Sequence, residues 1–356
     1  MKVLLLAPLP PPAGGISGWT ERMVSSHLKN NWGISVVDEK VIEGRTVFGY
    51  NSRKRLLVEA KRCYKIWKNL SQKLKSEEDI KVVQSCVPAG ITSMMREYVS
   101  GIIAKMAGRK FILHFRCTIP NMVLTTKSSK LFEKIVQLSD AVFVLNKASS
   151  DFTHKMCPSA NVFLIPNFVA LNAIKEKHAH NERIKEIVYV GGVIPEKGCS
   201  NIIEVAQKRL DIHFTLVGKI GIDTNDLPQN VELTGEVNRN RLDEILERAD
   251  VFLFLSKFSG EGFSNALAEA MSYGLPCIVT DWAANADMIE DKGGIVVGED
   301  VIADTLDALC KMSSVEVRKV MGNWNMEKVI TYYSDQVVTG QYVDAYESLL
   351  EEEVRQ

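Results

Sequence analysis

Two glutamates, Glu261 and Glu269, stand on either side of a turn in Ser256-Lys-Phe-Ser-Gly-Glu261-Gly262-Phe263-Ser264-Asn265-Ala-Leu-Ala-Glu269-Ala-Met-Ser-Tyr-Gly274-Leu-Pro276. The apolar run Val251–Leu255 precedes this string. Ser264 is placed to cap a helix. The N–H groups of that helix's first turn, with its dipole, make a seat for a diphosphate. Glu269 lies one turn inside, on the face of Asn265, where a carboxylate accepts hydrogen bonds from a ribose. Glu261, in the loop before the helix, reaches sugar hydroxyls or an anomeric carbon. Gly262 lets the backbone approach a ligand, and Gly274-Leu-Pro276 ends the helix. The bland reading is a strand–loop–helix with solvated acids, and the complete string with its Gly-Leu-Pro exit argues against it.

The elements that must position these residues are legible from the apolar pattern. Short runs recur at Val3–Ala7, Ile34–Val37, Ile80–Val83, Phe111–Phe115, Ala141–Leu145 and Val162–Ile165. They continue at Ile187–Val190, Phe214–Val217, Val231–Leu233, Val251–Leu255, Cys277–Val279 and Ile295–Val297, with amphipathic helical patterns between. Runs without alternation read as strands buried on both faces, hence parallel sheets covered by helices. Alternation over the whole length predicts a doubly wound α/β architecture, and 356 residues suit two domains better than one core. The break falls near Pro166-Asn167 and the polar stretch Asn172–Lys185. The expected domains are therefore 1–168, completed by a C-terminal helix at about 335–356, and 184–334.

Composition narrows the partners. A formal net charge of −1 gives no reason to expect nucleic acid. Seven scattered cysteines without CxxC spacing suit reduced thiols, not a zinc site or a disulfide framework. The apolar start Val3–Ala7 is too short for a signal sequence and is stopped by Pro8-Leu9-Pro10-Pro11-Pro12. No stretch reaches the roughly 20 apolar residues of a membrane span, so a cytoplasmic protein is expected.

One local feature qualifies that expectation. Between Ser52 and Ser76, Arg53, Lys54, Arg55, Lys61, Arg62, Lys65, Lys68, Lys73 and Lys75 face only Glu59. Leu56, Ala60, Cys63, Trp67, Leu70 and Leu74 form one helical stripe. Two readings stay open: a scaffold helix with a solvated basic face, or an interfacial helix on the anionic inner face of the cell membrane.

The Glu261–Glu269 string resembles the Glu-x7-Glu motif of family-four retaining glycosyltransferases of the GT-B fold. Thr280-Asp281-Trp282-Ala-Ala-Asn285-Ala-Asp287-Met-Ile289 resembles the segment that follows it in bacterial polysaccharide-assembly members. Tyr189-Val190-Gly191-Gly192-Val193-Ile194-Pro195-Glu196-Lys197-Gly198 resembles the segment whose Arg and Lys hold the donor diphosphate. Lys197 matches the lysine, and Gly192 stands where the arginine is usual. Leu233-Thr234-Gly235-Glu236-Val237 resembles the loop that reads the nucleobase through its backbone, and Ile165-Pro166-Asn167 resembles the end of the N-terminal domain.

The resemblance implies two Rossmann-like domains facing across a cleft. It implies a UDP- or GDP-linked sugar as co-substrate, with no cofactor and no metal, and retention at the anomeric carbon. Glu261 would contact the donor sugar and Glu269 the ribose, with Gly15, Gly191, Gly192, Lys197, Val237, Gly262, Phe263, Ser264 and Asn265 around the donor. Glu261, Lys197 and His114 are the catalytic candidates, and Gly14, His114 and Arg116 the acceptor side. Either His114 or Arg116 fills the family's N-domain position. The acceptor expected is a glycan or lipid-linked saccharide of cell-surface polysaccharide (capsule, O-antigen or exopolysaccharide) synthesis.

The chemistry agrees, because a nucleoside diphosphate leaves readily and needs compensation of charge growing on its β-phosphate. Three alternatives stand beside this reading: a sugar-nucleotide epimerase or hydrolase of the same fold, a non-catalytic binding subunit of an assembly complex, and an NAD(P)-dependent oxidoreductase. The last is disfavoured because Pro8–Pro12 separate the first strand from Gly14-Gly15, whereas a dinucleotide fingerprint leaves the strand directly.

Overall fold

The computed structural model describes residues 1–11, 14–26, 28–40, 52–170 and 181–354, with the backbone alone at 52–56 and 352–354. The chain forms two compact units, Met1–Pro166 with Val338–Gln356, and Asn167–Val337.

The first unit runs β1 (Lys2–Ala7), α1 (Gly15–Ser25), β2 (Gly33–Asp38), α2 (Ser52–Ser76), β3 (Ile80–Val87), α3 (Ile91–Met106), β4 (Lys110–Phe115), α4 (Thr126–Leu138), β5 (Ala141–Val144), α5 (Lys147–Met156) and β6 (Val162–Leu164). Its strands pair in parallel in the order β2-β1-β3-β4-β5-β6. Leu4, Leu6, Val83, Phe111, Leu113 and Phe115 are fully buried, as strands covered on both faces require.

The second unit runs β7 (Glu186–Val190), α6 (Cys199–Lys208), β8 (His213–Val217), β9 (Val231–Gly235), α7 (Arg239–Arg248), β10 (Val251–Phe254), α8 (Asn265–Ser272), β11 (Cys277–Thr280), α9 (Asn285–Ile289), β12 (Gly294–Val297), α10 (Val301–Lys311) and α11 (Val315–Lys328). A π-helical turn, Val329–Tyr333, leads to α12 (Asp335–Val354). The sheet order is β12-β11-β10-β7-β8-β9, all parallel. Each of the twelve apolar runs becomes one of these strands, within a few residues.

The part of α12 in the first unit closes that unit's sheet. Tyr342 and Tyr346 are fully buried, and the Tyr346 hydroxyl donates to Gln84 Oε1 at 2.6 Å. Trp32 Nε1 and Asn30 Nδ2 donate to Glu347.

In α2, Ile66, Leu70 and Leu74 are buried and Trp67 packs on the sheet core. Of the two open readings, this part of the apolar stripe therefore follows the scaffold one and faces protein. Ala60 is exposed, and the side chains of Arg53, Lys54, Arg55 and Leu56 lie outside the described residues. Lys61, Lys65, Lys68 and Lys75 are exposed beside Leu57 and Tyr64, whereas Arg62 pairs with Glu59 and Lys73 with Glu77.

The polar stretch 172–180, including His178 and His180, also lies outside the described residues. Where the chain resumes, the fully buried Asp250 accepts from Asn181 Nδ2 at 3.0 Å, from the Lys185 amide at 2.8 Å and from the Glu186 amide at 3.0 Å. A buried charge is tolerated only with such donors. Asp250→Ala strands them, so the second unit is expected to lose about 3 kcal/mol in urea unfolding. A loss below roughly 1 kcal/mol would remove Asp250 as the anchor of this segment.

Candidate functional site

The strand order of the second unit reverses at β7, with β8 and β9 to one side and β10 to β12 on the other. Loops leaving the carboxyl ends of β7 and β10 diverge there and open a crevice for ligands. The first loop carries Gly191, Gly192 and Lys197; the second carries Glu261 to Ser264.

Gly198 draws the two together. Its φ is +78°, and a Cβ there would lie 2.2 Å from the Leu255 carbonyl oxygen, so only glycine lets the Pro195–Lys197 turn press against the exit of β10. The Lys257 amide then donates to the Glu196 carbonyl at 3.2 Å. Thr280 Oγ1 donates to Ser256 O at 2.6 Å and Trp282 Nε1 to Phe258 O at 2.7 Å, so the segment after β11 fixes the same loop from behind. The outcome is an ion pair: Lys197 Nζ lies 3.2 Å from Glu261 Oε2 and 5.5 Å from the Phe258 ring centroid.

Ser264 caps α8, accepting from the Leu267 amide at 3.2 Å, while the Ala268 amide bonds to the Ser264 carbonyl. The Asn265 and Ala266 amides have no protein acceptor among the described residues. Two open N–H groups at a helix N-terminus form an anion seat, on the helix that follows the loop carrying Glu261, the partner of Lys197. Asn265 is held by Asn167, whose Nδ2 donates to its Oδ1 at 2.8 Å. Phe263 is buried edge-on to Tyr333, ring centroids 5.2 Å apart.

Gly218, φ +138°, allows the end of β8 to pass within contact of the Gly191 carbonyl. Gly192 has empty space where a Cβ would sit. Val237 is half-buried in the loop after β9.

Glu269 lies in α8, and its partner was not foreseen from the sequence: Arg239 Nη1 bonds to its Oε1. Arg239 is anchored by Asp243 and Tyr273. The signals available were the i, i+4 spacings Arg239–Asp243 and Glu269–Tyr273.

In the first unit, Gly14 precedes and Gly15 opens α1, both exposed and both with room for a side chain. His114 and Arg116 are at the end of β4, and both are buried. The His114 ring has Gln84 Nε2 3.1 Å from Nδ1 and Arg116 Nη1 3.0 Å from Nε2. The Arg116 guanidinium lies 4.4 Å over the Trp19 ring. Both residues are thus packed in one cluster with Trp19 and Tyr342.

Burial, and then the Arg116 charge, hold the His114 imidazole well below its usual range. The unfolded chain binds a proton there near pH 6.5 and the folded chain does not. Stability is thus full above about pH 6.5 and falls as pH drops below it, by up to about 1.4 kcal/mol per pH unit. Unfolding midpoints at pH 7.5, 6.5 and 5.5 should fall more steeply for the wild type than for His114→Asn. Equal slopes would mean the imidazole is protonated in place.

Residues 172–327 match the family described as glycosyl transferases group 1. N-acetyl-alpha-D-glucosaminyl L-malate synthase of Bacillus anthracis is 22% identical over 239 residues, 61% of this chain and 62% of that one. The UDP-Gal:alpha-D-GlcNAc-diphosphoundecaprenol alpha-1,3-galactosyltransferase of Escherichia coli is 27% identical over 160 residues, 41% of each chain. The match thus spans less than two thirds of the length of either relative. The sucrose-phosphate synthase structure from Thermosynechococcus elongatus superposes with a TM-score of 0.77 at 12% identity, covering 99% of both chains. Residues 172–327, which hold Lys197, Glu261 and Glu269, thus resemble a glycosyl transferases group 1 domain, in a chain with the GT-B fold.

Proposed function

We propose that the protein transfers a glycosyl group from a UDP- or GDP-sugar to a saccharide acceptor with retention of anomeric configuration and without a metal. The observation that carries this is the Lys197–Glu261 pair, formed where the second sheet reverses and in the loop that leads to the open amides of α8. The bond between the anomeric carbon and the diphosphate oxygen breaks. The acceptor hydroxyl oxygen bonds to that carbon, and its proton passes to the departing diphosphate. Lys197 and the Asn265 and Ala266 amides balance the charge that grows on the diphosphate. Glu261 orients the transferred sugar, and Glu269 receives the ribose hydroxyls. Gly191, Gly192, Val237, Gly262, Phe263 and Ser264 complete the donor seat. Gly14 belongs to the acceptor side, and His114 and Arg116, buried against Trp19 and Tyr342, support that side from within rather than acting as an acid.

The kinetic test uses donor turnover with a panel of nucleotide sugars and glycan acceptors. Lys197→Ala is expected to lower kcat by roughly 10²–10³. Glu261→Gln should lower kcat more than donor affinity, and Glu269→Ala mainly raise the donor KM. Turnover without an acceptor would turn the reading toward an epimerase or hydrolase, and donor binding without turnover toward a binding subunit. Small and equal effects from all three variants would remove the site.

The acceptor is a lipid-linked saccharide of cell-surface glycan synthesis, reached from the inner membrane face. Its chemistry is that of the diphosphoundecaprenol substrate in the name of the Escherichia coli relative. No helix of the described residues is long and apolar enough to cross a membrane. Attachment therefore rests on the exposed Lys61, Lys65, Lys68 and Lys75 of α2, each contributing about 1 kcal/mol at an anionic surface. Flotation with anionic vesicles should decline with salt and with Lys61, Lys65 and Lys68 changed to Glu. Indifference to both leaves a soluble acceptor.

A further inference from the structure

The Glu269 carboxylate is held from a neighbouring helix. Arg239, the first residue of α7, follows the loop after β9 and the cap residue Asn238, which accepts from the Arg241 amide. Its three guanidinium nitrogens have separate partners. Nε lies 2.6 Å from Asp243 Oδ1, Nη2 lies 3.0 Å from the Tyr273 hydroxyl, and Nη1 meets Glu269 Oε1.

The first two contacts fix the plane. Tyr273 is buried and donates to Asp243 Oδ1 at 2.7 Å; burial and this bond push its phenol up, so it stays a donor. A planar fork held along one edge presents its remaining N–H in one direction only, which lysine cannot imitate. Glu269 uses Oε1 for Arg239, and its Oε2 has no protein partner among the described residues.

We infer that Arg239 is a positioning residue for nucleotide selection: it clamps one oxygen of Glu269 so that the other receives the ribose hydroxyls, making ribose recognition depend on α7. This rests on the proposed reading of Glu269 as the ribose carboxylate. Arg239 is about half exposed, and an ion pair at such a site contributes little to folding. Its value lies in the aim of the carboxylate, since a flexible glutamate loses rotamer freedom on binding and a clamped one has already lost it.

The test measures binding of UDP against 2′,3′-dideoxy-UDP, and GDP against 2′,3′-dideoxy-GDP, to the full chain by calorimetry. The wild type is expected to favour the ribonucleotide by at least about tenfold, the scale of a hydrogen bond to a charged group. In Arg239→Ala that preference should shrink to about threefold or less, with affinity for the dideoxy nucleotide unchanged. Arg239→Lys should recover only part of it.

An Arg239→Ala protein that keeps the wild-type preference, while Glu269→Ala loses it, overturns the role of Arg239 and leaves the donor site standing. Equal losses for both nucleotides overturn it too, because they mark a structural role. A wild type that binds neither diphosphate, or does not distinguish ribose, overturns the parent reading and this inference together.

Discussion

The reversal of strand order at β7 is the constraint on which the second unit's chemistry depends. Parallel strands end on the same edge, and neighbours whose connections leave in opposite directions cannot cover that edge between them. Because β10 pairs with β7, the turn containing Lys197 and the loop containing Glu261 emerge side by side. Gly198 makes the approach closer than any side chain would permit. The ion pair follows from the sheet topology, and the helix that presents the open amides, α8, is simply the next element along the chain.

Charge around this crevice is balanced locally. Lys197 answers Glu261, and Arg239 answers Glu269, so neither carboxylate relies on solvent alone. The two pairs differ in mobility. Lys197 is a point charge on a flexible stem and can turn from carboxylate to phosphate, whereas Arg239 is pinned along one edge by Asp243 and Tyr273. One pair is suited to rearrange when a ligand arrives, the other to stay.

The central strands were legible because burial on both faces demands unbroken apolar runs, and the edge strands β6 and β9 keep short apolar runs although none of their residues is fully buried. The Glu261–Glu269 string is an equally local signal: cap, turn and carboxylates lie within one loop and helix. Arg239 was not, because its partners come from α7 and α8 and meet only after the sheet has formed. The environment of His114 was hidden likewise, being built from β3, α1 and α12 as well as its own strand. In α2 the sequence supplied the stripe but not its direction, since a core and a lipid surface select the same periodicity. Ile66, Leu70 and Leu74 settle it in favour of the core.

Gly192 has open space where a side chain would begin, at the position where the motif that its segment resembles usually carries an arginine. In an enzyme of the proposed kind, a weaker grip on the diphosphate is a weaker grip on the spent nucleotide as well as on the donor. Departure of product governs turnover in many enzymes, so under the proposed reading the missing side chain at Gly192 would favour early release. Because a Cβ at that residue would meet no atom of the described residues within 4 Å, a side chain could be added there without displacing a neighbour, and residence time would be adjustable at a single position.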